Sequence, residues 1–471
     1  MKTATRNYLA LVASGVLIAA ASPVAAAIDS IESAPPAEEN SKLPESAFIG
    51  GALKGSVPAK SSPEAASIAE ASSALPPLSS GLPPLSSGLL GPGDHNGDQY
   101  VAFYHDPVDL DSSEPGQLFR SESVHNPLNP LGINSIGPFK AERILYSSTN
   151  HSGEKIQVSG MVIEPKTEWD GEGPRPVVAF APGTKGLADH CAASRNIADG
   201  VGDYEQFFFH RYLDKGYVVV LTDYEGLGTP GMHTYMDRAS QGHAVLDSIR
   251  AAQKLDGWDI NGNNPVFING YSQGGGAAAA AAELYDDYAP ELNIKLATIG
   301  AAPTDLTLLP SVLDGSLYFL FGAYALLGLS NSYGEDLYSH INDMGARKLQ
   351  DATNTCTMGL LKTAGTTVER ISNDGRNVHD FIDSEPFKSI LAKQHIGYDA
   401  PAIPVVITHS RGDDVIPFST AEKLVNEWTE RGADVTFIPN NAHTHLTGTN
   451  PHIIESVKAI DAALRHEKAS R

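Results

Sequence analysis

The run Pro265-Val-Phe-Ile-Asn-Gly270-Tyr271-Ser272-Gln273-Gly274-Gly-Gly-Ala-Ala-Ala-Ala-Ala-Ala282 decides how the chain is read. It opens as a continuous apolar stretch, passes through G-x-S-x-G, and continues into a small-residue helix with no bulky side chain until Leu284. The pattern alone is weak, but the strand before it and the helix after it make it specific. A strand-to-helix elbow of this kind holds its serine in a strained backbone conformation at the carboxyl edge of a sheet. Glycines two before and two after the serine let strand and helix approach without a Cβ clash.

Outward from the elbow, strand-like and helix-like runs alternate. Strands are expected at Arg143–Ser147, Ile156–Glu164, Pro176–Ala181, Tyr217–Thr222, Leu296–Ala301, Ile403–Ser410 and Asp434–Ile438. Helices are expected at Phe207–Lys215 and Ser240–Leu255. Such alternation implies an α/β fold with a parallel sheet covered on both faces. It stops between Pro303 and about Ala400, a mostly helical stretch that reads as an inserted cap, about 303–400. The apolar patch Leu317–Leu329 within it is either a buried cap helix or a lipid-facing one, with core burial preferred.

A serine hydroxyl attacks poorly unless a base takes its proton. After an elbow serine, the acid and then the base follow in chain order. Ile403-Pro-Val-Val-Ile-Thr-His-Ser410 runs into Arg411-Gly-Asp413-Asp414-Val-Ile-Pro417, where a strand end delivers two aspartates. Asp413 is preferred because it adjoins the turn glycine; Asp414 suits loop support. The loop after the last strand carries His443 and His445. His445 is preferred because a histidine just before a helix start can turn towards the serine. The oxyanion hole is expected to combine the Gln273 N–H with a second donor from Ala181-Pro-Gly-Thr-Lys-Gly-Leu187, through Gly183 and Thr184.

The chain has 471 residues, 33 Lys and Arg against 56 Asp and Glu, and a net charge of −23. That balance argues against nucleic-acid binding and against electrostatic docking to anionic lipid. No metal motif and no nucleotide-binding glycine loop is present, so no metal and no cofactor is implied. A basic start at Lys2 and Arg6, an apolar Tyr8–Ala21 stretch and a small-residue site near Ala27 read as a signal peptide over 1–27. No integral membrane span is expected beyond it. Residues 28–92 are rich in Pro, Ser, Ala and Gly and repeat Leu-Pro-Pro-Leu-Ser-Ser-Gly at 75–81 and 82–88. They read as a disordered linker or propeptide, followed by one hydrolase-type body over 93–471. Cys191 and Cys356 are the only cysteines. In a secreted protein they are expected to pair, closing a loop worth roughly 4–5 kcal/mol in the chain-entropy model.

Several pieces together resemble the secretory lipases of fungi and actinobacteria. They are Phe103-Tyr104, Pro115-Gly116, Pro182-Gly-Thr-Lys-Gly-Leu187, Asp223-Tyr-Glu-Gly-Leu-Gly228, Gly270-Tyr-Ser-Gln-Gly-Gly275, Ala302-Pro-Thr-Asp-Leu306, Asp413-Asp-Val-Ile-Pro417 and His445-Leu-Thr447. The resemblance spans the body from about residue 94. It implies an α/β-hydrolase fold with an inserted helical lid, a Ser272–Asp413–His445 triad, and lipase or esterase activity on lipid or other esters. The expected protein is therefore a secreted serine ester hydrolase, extracellular or associated with the cell envelope, in transient contact with lipid interfaces. The alternatives are an acyltransferase serving a cell-envelope alcohol and an inactive hydrolase-fold binding module.

Overall fold

The computed structural model describes residues 102–124, 139–200 and 202–470. The expected leader over 1–27 and linker over 28–92 lie outside the described residues.

Among the described residues, nine strands form one sheet: β1 Leu118–Ser123, β2 Phe139–Thr149, β3 Lys155–Pro165, β4 Val177–Ala181, β5 Val218–Thr222, β6 Val266–Tyr271, β7 Ile294–Gly300, β8 Val405–Ser410 and β9 Val435–Asn440. Their order is β1-β2-β3-β5-β4-β6-β7-β8-β9. The first three strands form an antiparallel meander, β3 pairs antiparallel with β5, and every pairing from β5 to β9 is parallel. This is the α/β-hydrolase architecture. Every residue of β4, β5, β6 and β8 is buried, as strands covered on both faces require. Edge strand β9 is only half-buried.

Helices α1 Gln206–Leu213, α2 Arg238–Ala252, α3 Gln273–Tyr288, α7 Phe418–Glu430 and α8 His445–Ser470 cover it, while α4 Phe319–Ser332, α5 Asp343–Thr353 and α6 Phe387–Lys393 lie between β7 and β8. Ala244 and Ile249 of α2, the Ala277–Ala282 run of α3, and Leu424 and Trp428 of α7 share one core with the sheet. Phe209 and Tyr212 of α1 and Ile453 and Ile460 of α8 fill the other face. The alanines matter sterically. A Cβ on Gly242 of α2 would stand 3.1 Å from the Ala280 backbone, so α2 and α3 pack nearly backbone to backbone.

Expected strands and helices appear where hydropathy places them, with shifted ends. The stretch expected at Arg143–Ser147 extends over the whole of β2, because its polar ends still pair with β3 along the full register from Phe139 to Thr149. Strand β1 (Leu-Phe-Arg-Ser-Glu-Ser) has no apolar alternation to betray it; it is an edge strand with half its residues exposed. Between β7 and β8 the described chain forms helices and short turns, and α4 to α6 build a core of their own. Helix α4 is neither wholly core nor lipid-facing. Leu320, Ala323 and Leu327 are buried in that second core, while Phe321, Ala325 and Leu326 face a cavity. No described helix is long and apolar enough to cross a membrane.

Candidate active site

The elbow is held by contacts that only glycine permits. A Cβ on Gly270 would fall 2.0 Å from the Gly274 carbonyl oxygen, and one on Gly274 would fall 1.9 Å from that of Ala181. The chain therefore turns sharply between β6 and α3, and Ser272 adopts φ 61°, ψ −125°. For a residue with a side chain this is a strained region. Its N–H is fixed on the Gly300 carbonyl of β7 at 2.9 Å. Gln273 follows as the first residue of α3, where the backbone N–H has no acceptor within the helix. Its buried side chain lies 3.1 Å, Nε2 to Nε2, from His233, whose Nδ1 is 2.8 Å from the Glu225 carbonyl. Burial pushes His233 down to about 4. The ring is neutral at pH 7, donating through Nδ1 and accepting from Gln273 through Nε2.

The end of β8 presents Asp413. Its fully buried side chain accepts from the N–H groups of Val415 (2.9 Å) and Ile416 (2.8 Å) through Oδ1. Through Oδ2 it meets His445 Nδ1 at 2.8 Å. Burial alone would raise this carboxyl. The His445 hydrogen bond and charge, His409 and the Ile416 N–H together outweigh it and hold the group below the usual carboxylate value. Asp414 turns to other partners, accepting from the His445 N–H (2.9 Å) and the Tyr318 hydroxyl (2.8 Å). His443 is exposed. Gly412 lies against its backbone, 3.0 Å from a Cβ position to the His443 Cα. Tyr271 links elbow and histidine. Its hydroxyl donates to the His445 carbonyl at 2.6 Å, and the two rings lie 5.0 Å apart.

The loop after β4 is tightly engaged. The Gly183 N–H donates to Glu205 Oε2 at 2.9 Å, which removes it as a free donor. The part left to Gly183 is close approach, since Tyr204 Oη stands 3.0 Å from where its Cβ would be. The Thr184 hydroxyl is 2.7 Å from that of Tyr235. Among the described residues, the Thr184 N–H meets no acceptor. Just beyond, Cys191 and Cys356 form a disulfide across a sequence separation of 165. His190 groups with those two sulfurs, but both are bonded to each other, and neither is a thiolate for a metal.

Ser272 and Thr184 stand in the wall of a cavity beneath the inserted segment. The rest of the wall is almost entirely apolar and comes largely from the inserted segment, through residues such as Leu309, Phe321, Leu326 and Ile390. Val415 and Ile416, just past Asp413, close it from the sheet side.

The sequence pattern described as Secretory lipase matches residues 197–469. The chain belongs to the secretory lipase family. A secreted triacylglycerol lipase of Malassezia globosa is 27% identical over 352 residues, covering 71% of this chain and 72% of that protein. A probable inactive lipase of Mycobacterium tuberculosis is 29% identical over 357 residues, covering 71% and 75%. Among solved structures, Candida antarctica lipase A in its closed state superposes with a TM-score of 0.67 at 23% identity, over 77% of this chain and 85% of that one. A rice cell wall degrading esterase from Xanthomonas oryzae gives 0.62 at 22% identity, over 75% and 100%. Membership makes the chain an ester hydrolase of the lipase type.

Several residues around this candidate site escape sequence reasoning: Tyr271, His233, His409 and the Asp203-Tyr204-Glu205 run. Tyr271 sits inside the G-x-S-x-G pattern, at a place where the pattern accepts anything. His409 is the second-last residue of β8 and reads as strand interior. Once buried it is pushed down and neutral, and its Nε2 donates to the Ile416 carbonyl at 3.0 Å, behind Asp413. Asp203 and Glu205 read as solvated acids, and only the fold shows that they are buried.

Proposed function

We propose that this secretory lipase acts outside the cell on acylglycerols and related lipid esters, through an acyl-enzyme on Ser272. The Ser272 hydroxyl attacks the ester carbonyl while His445 Nε2 takes its proton. Asp413 keeps the proton on Nδ1 and stabilises the imidazolium. Oxyanion charge falls to the N–H groups of Gln273 and Thr184. The alcohol leaves with the proton from His445. Water, deprotonated by the same ring, then releases the acid and restores the hydroxyl. The cycle needs only protein groups and water.

The observation that carries this reading is the 2.8 Å bond from His445 to buried Asp413, bridged by Tyr271 to a strained Ser272 that opens on an apolar cavity. A cavity with so apolar a wall suits an acyl chain. Contact with a lipid surface falls to side chains left in water near these elements: Met358 (82% exposed), Leu361 (76%) and Leu446 (63%). The deciding experiment treats the purified protein with an alkyl fluorophosphonate and profiles nitrophenyl and triacylglycerol esters from short to long chains. Labelling confined to Ser272, with hydrolysis favouring long chains, is expected. Absence of both would place the chain with its relative named probable inactive. Faster turnover on adding acceptor alcohols, with new esters formed, would move the reading to acyl transfer.

A further inference from the structure

Three consecutive residues, Asp203-Tyr204-Glu205, reach three consecutive residues of the loop after β4, Gly183-Thr184-Lys185. Glu205 Oε2 accepts from the Gly183 N–H (2.9 Å) and from Lys185 Nζ (2.7 Å). Asp203 Oδ1 accepts from Lys185 Nζ (2.6 Å) and from the Glu205 N–H (2.8 Å), which ties the cluster to itself. The Tyr204 hydroxyl donates to the Thr184 carbonyl (2.9 Å), and its ring lies 3.8 Å from the Lys185 ammonium. On the opposite side, Thr357 donates its N–H to the Lys185 carbonyl (2.9 Å) and its hydroxyl to the Thr184 carbonyl (2.5 Å).

The three charged side chains are almost wholly removed from water. Burying ions this way is a poor source of stability, because desolvation offsets most of the attraction. What short charged hydrogen bonds do provide is a fixed geometry. The geometry fixed here is that of one loop, whose Thr184 lines the cavity with Ser272 and whose Thr184 N–H has no acceptor among the described residues.

We propose that Asp203-Tyr204-Glu205 is a clasp that positions the Thr184 N–H as oxyanion donor, with Glu205 the positioning residue at its centre. This rests on the acyl-enzyme reading above. Glu205 touches no substrate atom. It holds Gly183 and Lys185 on either side of Thr184, so the donor stands aimed before charge develops on the carbonyl oxygen. A preset donor acts on the transition state and not on the bound ester, so its loss lowers kcat and leaves KM.

Two variants test this. Glu205→Gln keeps an acceptor near Gly183 and removes the charge facing Lys185. Tyr204→Phe keeps the ring over Lys185 and removes only the donor to the Thr184 carbonyl, at a residue that is 42% exposed. On a short nitrophenyl ester, kcat should fall roughly ten- to hundredfold in the first and about three- to tenfold in the second, with KM within about twofold. Affinity for a trifluoromethyl ketone, which forms the tetrahedral oxyanion on the serine, should fall in step with kcat/KM. If Glu205→Gln does not fold, Tyr204→Phe carries the test alone. A lowered melting temperature with kcat unchanged would overturn the clasp, as would a loss of kcat without loss of ketone affinity. Full hydrolysis by Ser272→Ala would overturn the acyl-enzyme reading as well. Loss in Ser272→Ala beside an unchanged kcat in both clasp variants would overturn the clasp alone.

Discussion

Ser272, Asp413 and His445 differ from their neighbours in what holds them. Ser272 is strained at φ 61° between glycines that cannot be replaced. Ser272→Ala removes the proposed nucleophile and almost no volume, so the fold should survive while ester hydrolysis drops by about 10³-fold or more. A residual rate within tenfold of the parent would sink the assignment. His445 binds Asp413, whereas His443 is exposed. His445→Ala should therefore match Ser272→Ala, and His443→Ala should cost less than about tenfold; the reverse order would move the base to His443. The two aspartates separate in the same way. Asp413→Asn disturbs the hydrogen bond that sets the imidazole tautomer and should lower kcat by roughly 10³-fold or more. Asp414→Asn keeps one acceptor oxygen for the His445 N–H or the Tyr318 hydroxyl and should be mild. Comparable kcat in the two would refute this division of labour.

Helix α4 and the turn between β2 and β3 carry the element-scale consequences. Gly322 of α4 lines the cavity, and a Cβ there would meet nothing closer than 3.9 Å. A larger side chain at this position projects into space that an acyl chain would use. Gly322→Phe should lower turnover of long-chain esters at least about tenfold relative to a short ester, whose chain needs less of the cavity. Equal losses on both would assign α4 a purely structural role. The far end of α4 is anchored by charge. Ser332 donates to Asp237 Oδ2 (2.5 Å), and His151 places Nδ1 2.9 Å from the same oxygen while stacking 4.1 Å from Tyr333. The hydrogen bond to Asp237 raises His151 above its usual 6.5; burial opposes it, the charges of Asp237 and Glu225 add to it, and Lys393 subtracts. A raised folded value means that this contact stabilises fully below the unfolded value and is lost as pH rises through the folded one. Between pH 6 and 8 the parent should lose more thermal stability than His151→Gln, by on the order of 1 kcal/mol or less. Parallel melting curves across that range would show that the ion pair contributes nothing.

At the scale of the whole molecule, the Cys191–Cys356 disulfide joins the loop region after β4 to the inserted segment, next to Thr357 on the Thr184–Lys185 backbone. The protein should show no titratable thiol until it is reduced under denaturing conditions. Reduction should lower the melting temperature, with about 5 kcal/mol at stake in the chain-entropy model for so long a loop. Two free thiols in the native protein would contradict the bridge, and an unchanged melting temperature would deny it a stabilising part. Reduction should also weaken ester hydrolysis before global unfolding, because Cys356 adjoins one of the two flanks that hold the loop after β4, the proposed source of an oxyanion donor. Unfolding and inactivation at the same temperature would separate the bridge from the site.

The sequence by itself determined the sheet's interior, the elbow and the order of the candidate residues. Those rest on local signals: the apolar runs that open β4, β5, β6 and β8, glycines at fixed offsets around Ser272, and Gly-Asp at the end of a strand. It also left Asp413 against Asp414, and His443 against His445, as preferences, since neighbours in sequence share every local signal. Only the tertiary structure decided which partners each takes, because a side chain's direction at a strand end depends on what the next loop brings against it. The same holds for the Gly183 N–H, which Glu205 takes from a distant helix start, and for edge strand β1, which has no hydrophobic face to announce it. Burial of Asp203, Glu205 and Lys185 together lay furthest from sequence reading. Charged residues read as solvated until the fold shows that they have one another as partners in place of water.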